Sequence, residues 1–590
     1  MSKTTKTTKS QSPKREQSPS NMTASYWLEG MTEIGVDYLF CNMGTDHAPI
    51  IEAMAQWRQQ GRKYPKVILC PHENTAVHMA IGYYRATGRA QAVLVHVDAG
   101  TANAVMGLHN AFRSRIPLVL MAGTAPVTIR GELLGTRDTY VHFIQDPYDM
   151  KGIVRNYVKW EYQLPTGIIV KEALRRAFSM AESDPPGPVF MTLPREILAE
   201  TWEPKQIASF PVDAYGPMRM TGVDDAPLTE IADRLLAAEN PLLITSFAGR
   251  NLKTPALLDE LGQLIGMGVI ESYPQVLNIS KASPVFLGNL SEPHLPKVDF
   301  GLMVDTDLPW MPKEAKPNPK TFWAHIDIDP IKSDIPMWGF PGHLKVQADS
   351  CIALTRLIEI VKSKLTAKHR ARAKKRLQEF AAQREQMGGV IQKLAKNKGT
   401  KGLINPAYLC AELNKVLRED DVLVSESVMN EPSVGMQIMR TKPGTSIGLG
   451  GGGLGYSPGT ALGIKLAKPD AMVLHMSGDG SFYFGNPSST YEVAREHNLP
   501  IFTVVFENGG WSAVKECTIK VHPDGVSRDT DEFQARLNPA YQFQKVCEAA
   551  GGHGENVSEP DELPAAIARC VNAVRKEGRS ALLVAHVKRL

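Results

Sequence analysis

Along most of this chain, short apolar runs alternate with stretches whose apolar residues recur every three or four positions. Near the amino end, VDYLFCNMG and PKVILC predict strands, ENTAVHMAIGYYRATG a helix, AQAVLVHV a strand, TANAVMGLHNAFRS a helix and PLVLMAG a strand; KEALRRAFSMAE and GPVFMTL add a helix and a strand. The strand runs are continuously apolar, so both faces of each strand are to be buried, as in a parallel sheet covered by helices. The same style returns in LTEIADRLLAA, PLLITS, LLDELGQLIG, FGLMVDT and FWAHIDID, and again in DVLVSES, PGTALGIKLAKP, AMVLHMSGDG, SSTYEVAREHN, IFTVVFENGG and ALLVAHV. The predicted fold class is α/β, with three doubly wound parallel-sheet domains at 22–205, 220–365 and 405–590. A length of 590 residues suits three domains of ordinary size.

Two segments stand outside this pattern. Residues 1–21 are Ser, Thr, Lys, Gln and Pro with no apolar centre, which predicts a disordered tail and not a secretory signal. Residues 366–404 are basic and helix-prone. Without interleaved aromatics they read as a solvated connecting helix in preference to a nucleic-acid patch. A net charge of +4, with 43% hydrophobic and 22% charged residues, gives no reason to expect a nucleic-acid or membrane partner. No apolar run reaches the roughly 18 residues of a membrane helix. The seven cysteines are odd in number and form no CxxC pair. They are expected to be reduced thiols, and the protein cytoplasmic.

Chemistry gathers at the carboxyl ends of the predicted strands, where ligands of such sheets bind. Gly478, Asp479 and Gly480 follow the strand AMVLHMS, and Asn508 ends the strand IFTVVFE. Two successive strand ends thus present a carboxylate and an amide oxygen, ligands that suit magnesium together with phosphate oxygens. Gly480 lets backbone approach a diphosphate, and with Gly478 and Ser481 it forms a candidate cofactor-binding turn at a helix start. Gly–Asp–Gly alone is also a common turn; the strand on either side and the spaced Asn508 make the signal specific. Glu73 follows a strand and opens a helix, where the helix dipole by itself favours an acid. Residues 448–466, GLGGGGLGYSPGTALGIKL, are glycine-rich but lack the order of a dinucleotide loop. In the middle block ITSFAGRN is no convincing flavin loop, so FAD is not expected.

The stretch GDGSFYFGNPSSTYEVAREHNLPIFTVVFENGGW resembles the binding motif of thiamine diphosphate-dependent enzymes, GDG followed after about this length by Asn. The resemblance spans nearly the whole folded chain. It implies that Asp479 and Asn508 bind magnesium, with the carbonyl of Gly510 as third protein ligand. It implies that Glu73 hydrogen-bonds the pyrimidine ring nitrogen of thiamine diphosphate and shuttles its proton. Gly452 would offer its carbonyl to the exocyclic nitrogen of that ring, and Leu454 would wedge between the two rings. Glu426 to Asn430 falls where family members contact the diphosphate. The three domains become pyrimidine-binding, middle and diphosphate-binding. The assembly becomes a homodimer or homotetramer, each coenzyme lying between the first domain of one subunit and the third of another.

Within the family, VLVHVDAGTANAVMGLHNAFRSRIPLVLMAG is similar to the corresponding segment of acetolactate synthase and benzoylformate decarboxylase. That similarity implies that His96 faces the substrate and handles protons, against the plainer reading of a core histidine bonded to backbone. Gln145 matches a glutamine near the cofactor in acetolactate synthases, and Thr45 and His47 of MGTDHAP, at the first strand's carboxyl end, are candidates for the pocket wall. Two departures follow. NGGWSAVKECTIKVHP lacks the Gln–Trp pair of acetolactate synthases. VDTDLPWMP carries Trp310 and no His where benzoylformate decarboxylase supplies its second His. The expected activity is a lyase or transferase reaction that breaks or makes a carbon–carbon bond beside a carbonyl, most directly decarboxylation or carboligation of a 2-oxo acid. The alternatives are a lyase for a 2-hydroxyacyl-CoA or cyclic dione, and a non-catalytic coenzyme-binding regulatory subunit.

Overall fold

The computed structural model describes residues 20–209, 211–448, 451–538 and 541–588. The tail expected at 1–21 falls outside the described residues except at its end. There Asn21 is pinned: its side chain donates to the Trp202 carbonyl at 2.9 Å, and Trp202 N–H donates back to the Asn21 carbonyl at 3.0 Å.

Three parallel sheets form three α/β domains. The first contains β1 (Tyr38–Cys41), β2 (Lys66–Leu69), β3 (Gln91–Val95), β4 (Leu118–Thr124), β5 (Glu161–Gln163) and β6 (Val189–Pro194), in the order β2-β1-β3-β4-β6-β5. The second contains β7 (Pro241–Thr245), β8 (Gly268–Glu271), β9 (Phe300–Val304), β10 (Phe322–Asp327) and β11 (Leu344–Gln347), in the order β11-β10-β9-β7-β8. A short antiparallel pair, β12 (Gly399–Thr400) and β13 (Leu403–Ile404), precedes the third. That sheet contains β14 (Val422–Glu426), β15 (Ser446–Ile447), β16 (Val473–Gly478), β17 (Phe502–Glu507), β18 (His553–Val557) and β19 (Ala581–His586), in the order β15-β14-β16-β17-β19-β18. The central strands β3, β4 and β17 are buried almost throughout, as their unbroken Val, Leu and Phe runs require.

One contact positions the site. The helix Glu73–Thr87 is buried from Glu73 to Tyr83 because it is sandwiched between the first sheet and the helix Tyr456–Ala467 of the third domain. A single apolar cluster therefore runs from Phe40 and Val93 through Val77 and Ile81 to Leu462 and Val424. Each such side chain contributes roughly 1.5–3 kcal/mol by leaving water. The helices cross closely because glycines meet backbone. A Cβ on Gly82 would strike the Thr460 carbonyl, and one on Gly463 the Met79 carbonyl.

The basic stretch forms one helix, Ala367–Lys396, capped by Thr366. Its arginines turn to helix ends. Arg376 donates to the Ile265 carbonyl at 3.0 Å, at the end of the helix Thr254–Ile265. Arg372 donates to the Leu236 and Ala237 carbonyls that end the helix Asp225–Ala237. Cations there satisfy orphan carbonyls and complement the helix dipole. Among the described residues no helix is long and apolar enough to cross a membrane.

Candidate active site

At the carboxyl end of β16, Asp479 is 1% exposed. Its Oδ1 accepts from Gly480 N–H at 2.7 Å. Its Oδ2 accepts from the N–H groups of Asn508, Gly509 and Gly510 at 3.2, 2.8 and 2.9 Å. The turn after β17 thus folds around the carboxylate, with Gly509 at φ 86° and Gly510 at φ 138°, where side chains are strained. Gly480 is required by space as well, since a Cβ there would sit 2.5 Å from the Trp511 ring nitrogen. Burial pushes the Asp479 carboxyl up to about 6, against the backbone N–H groups that favour its charge. A hard cation would offset that desolvation, and the Asn508 side-chain oxygen and Gly510 carbonyl complete an oxygen donor set of the kind magnesium takes. The residues present fit that ion. Among the described residues no cluster of three or more His, Cys, Asp or Glu suits a metal, so this mixed set is the candidate.

At the carboxyl ends of the first sheet, two groups converge. Glu73 is 6% exposed and accepts from the side-chain amides of Asn42, after β1, at 3.4 Å, and Asn103 at 3.1 Å. Beside it His96, after β3, donates from Nδ1 to Asp46 at 2.5 Å and from Nε2 to Gln145 Oε1 at 2.8 Å. The two groups are neighbours: a Cβ on Gly100 would lie 3.0 Å from Glu73 Oε1 and 3.4 Å from the His96 Cβ. The hydrogen bond to Asp46 leads the effects that raise the His96 pKa. Burial pushes the Asp46 carboxyl up, but His47 and His96 outweigh it and hold it below the usual range. Gly44 and Gly123 clear the space for this pair, because a Cβ on either would collide with His96 or Asp46 respectively.

His96 and Gln145 are therefore brought together, and the half-buried His96 ring bonds side chains of Asp46 and Gln145. His47 differs from expectation. It is fully buried, accepts from Gly44 N–H through Nδ1 at 3.0 Å, and cannot line a pocket. Burial lowers its pKa. Thr45 pairs with His142 at 3.0 Å. Trp310 packs on Trp323 at 4.7 Å in the core of the middle domain. Of the segment 426–430, Glu426 turns inward to the glycine-rich loop, and only Val428 is well exposed, at φ 47°. Sequence reasoning missed Asn42, Asp46 and Asn103. Asp46 stood beside two named residues, but nothing in the pattern said that it would face β3.

The first and third domains touch within one chain next to these residues. Asn74, next to Glu73, donates to the Phe484 carbonyl at 3.4 Å, five residues beyond Asp479. Asn110 takes both polar groups of Gly453, donating to its carbonyl and accepting from its N–H, each at 3.0 Å. Gly452, at φ 82°, is exposed and Leu454 is half-buried.

The first sheet thus carries a cluster of Glu73, His96, Asp46 and Gln145 at its strand ends, and the third a buried carboxylate wrapped by a glycine turn. The family model described as "Thiamine pyrophosphate enzyme, N-terminal TPP binding domain" matches residues 22–153, and "Thiamine pyrophosphate enzyme, C-terminal TPP binding domain" matches 433–585. The chain is similar to the acetolactate synthase isozyme 3 large subunit of Escherichia coli (strain K12), 26% identical over 527 residues that cover 86% of each protein. Among solved structures it is similar to a thiamine diphosphate-dependent 4-hydroxybenzoylformate decarboxylase of Rhodococcus jostii RHA1, with TM-score 0.77, 19% identity and coverage of 96% of this chain and 99% of that one. Benzoylformate decarboxylase from Polynucleobacter necessarius gives TM-score 0.76, 18% identity and the same coverages. The chain belongs to the thiamine diphosphate-dependent enzyme family.

Proposed function

We propose that the protein uses thiamine diphosphate and magnesium to break or make a carbon–carbon bond beside a carbonyl, acting on 2-oxo acids by decarboxylation, carboligation or both. The observation that carries this reading is that the two sheets matched by the thiamine pyrophosphate domain models each hold a buried carboxylate at a strand's carboxyl end, Glu73 beside His96 in one and Asp479 in the 508–510 turn of the other. Asp479, Asn508 and the Gly510 carbonyl would hold magnesium. Backbone at Gly478, Gly480 and Ser481 would hold the diphosphate, and Gly452 and Leu454 the pyrimidine ring. When bound, the coenzyme supplies an electron sink for a carbanion next to a carbonyl. Glu73 holds and returns a proton at its carboxylate, oriented by Asn42 and Asn103. His96 holds a proton at Nε2, kept there by Asp46 and Gln145, and delivers it to the substrate side of the pocket.

The protein is proposed to act as a homodimer or homotetramer. The segment after β4 exposes Val127, Leu133, Leu134, Tyr140, Phe143 and Ile144, an apolar surface that a second copy would cover. A panel of 2-oxo acids with purified protein, thiamine diphosphate and magnesium, following both aldehyde and carboligation product, tests the reading. Turnover of at least one 2-oxo acid is expected. Failure of calorimetric titration to show coenzyme uptake would overturn it. Turnover restricted to 2-hydroxyacyl-CoA or cyclic diones would move it to the lyase alternative.

A further inference from the structure

The glycine-rich stretch 451–455 is a poor candidate for holding itself in shape. Gly452 and Gly455 sit at φ 82° and 88°, and glycine backbone is the least restrained of any residue. Two buried side chains restrain it from opposite sides. Asn110, fully buried in the first domain, takes the N–H and the carbonyl of Gly453. Glu426, 1% exposed at the end of β14, accepts from Gly455 N–H at 2.7 Å, from Ser457 N–H at 2.9 Å and from the Ser457 hydroxyl at 2.5 Å. The residue between the two clamped glycines is Leu454.

Glu426 is costly where it stands. Burial pushes its carboxyl up to about 7, against the Ser457 and backbone donors that favour the charge. Its hydroxyl partner leads deeper: Ser457 Oγ lies 2.8 Å from His475 Nε2, and His475 Nδ1 lies 3.2 Å from Thr503 Oγ1. Burial lowers His475 to about 3, so this ring is neutral and one of its nitrogens is free to accept. The row Glu426–Ser457–His475–Thr503 therefore fastens the start of the helix Tyr456–Ala467 to β14, β16 and β17 at once. An apolar residue at 426 would fill the space and leave two N–H groups without acceptors.

We propose that Glu426 and Asn110 are positioning residues, a two-point clamp that fixes Leu454 and the Gly452 carbonyl at the coenzyme. This rests on the coenzyme-binding reading above, and the test separates the two. Hydrogen exchange of the peptide spanning 451–457 is measured in the coenzyme-free protein, and thiamine diphosphate affinity is measured by calorimetry with saturating magnesium, for wild type, Glu426→Gln and Asn110→Ala. The clamp predicts faster exchange confined to this peptide in Glu426→Gln, a melting temperature within a few degrees of wild type, and coenzyme binding weakened about tenfold or more. Exchange at the wild-type rate, or affinity within about twofold of wild type, overturns it, as does a lowered melting temperature with affinity unchanged. Should Glu426→Gln fail to fold, Ser457→Ala removes only the hydroxyl and is judged by the same criteria with Asn110→Ala. A wild-type protein that binds no coenzyme but shows the exchange difference would sink the functional reading and leave the clamp standing.

Discussion

The first and third sheets share one strand order, second, first, third, fourth, sixth, fifth, yet they place different chemistry on the same scaffold. In the first sheet the turns after strands one, two and three carry Asp46, Glu73 and His96, two carboxylates and an imidazole. In the third, the turns after strands three and four carry Asp479 and Asn508, the oxygen groups proposed to hold magnesium. The reversal of strand order opens a crevice in both. What fills it is set by the turns alone: side-chain amides and an imidazole around Glu73, four backbone N–H groups around Asp479. Side-chain partners surround Glu73, whereas the glycine turn at 509–510 wraps the Asp479 carboxylate with backbone N–H groups. Topology thus supplies position, and local turn chemistry supplies function.

The comparison can be broken most sharply at Glu73. Glu73→Gln removes the proton carrier and keeps the shape, so turnover is expected to fall by about a thousandfold while coenzyme still binds. Steady-state rates beside calorimetry check this, and unchanged turnover would favour a non-catalytic coenzyme-binding subunit. Asp479→Asn attacks the other sheet. It is expected to weaken magnesium-dependent coenzyme binding by about a hundredfold. Mixing the two inactive variants then asks whose sheets cooperate. If sites form between subunits of a dimer, random pairing restores about a quarter of wild-type activity; if each chain builds its own site, nothing returns.

A smaller effect is expected from Asp46→Asn. His96 loses the partner that raises its pKa, so kcat falls about tenfold to a hundredfold. The alkaline fall in kcat/KM, where His96 gives up its proton, moves to lower pH. The sign for stability agrees. A histidine whose folded pKa is raised contributes stability fully below its unfolded value of about 6.5, and that contribution is lost as pH rises through the folded value. Wild type and variant should therefore differ most in melting temperature on the acid side. The smallest effect concerns Val428, a β-branched residue at φ 47° on the surface. Val428→Gly is expected to stabilise the protein by about 1 kcal/mol, read as a higher denaturant midpoint.

The central strands and the helices that follow them were legible because burial on both faces leaves unbroken apolar runs. Of the edge strands of the first and third sheets, only β2 was, through PKVILC. β5 (EYQ), β15 (SI) and β18 (HGENV) are short or polar, and pairing on one side only asks little of their side chains. The helix Thr23–Ile34, whose apolar residues are interrupted by Thr, Glu and one Gly, was equally illegible, and it is the first core closing over Trp27 and Leu28 that holds it.

The amino-acid order by itself determined the α/β class, the parallel sheets and the turns that carry Glu73, Asp479, Gly480 and Asn508, because these depend on residues near one another in the chain. Tertiary structure alone decided that Asp46 meets His96 across 50 positions, that Asn110 grips Gly453 across 343, and that Glu426 accepts from Gly455 across 29. Such pairings arise where two sheets and the helices between them close, and no local periodicity records which strand ends will then face each other.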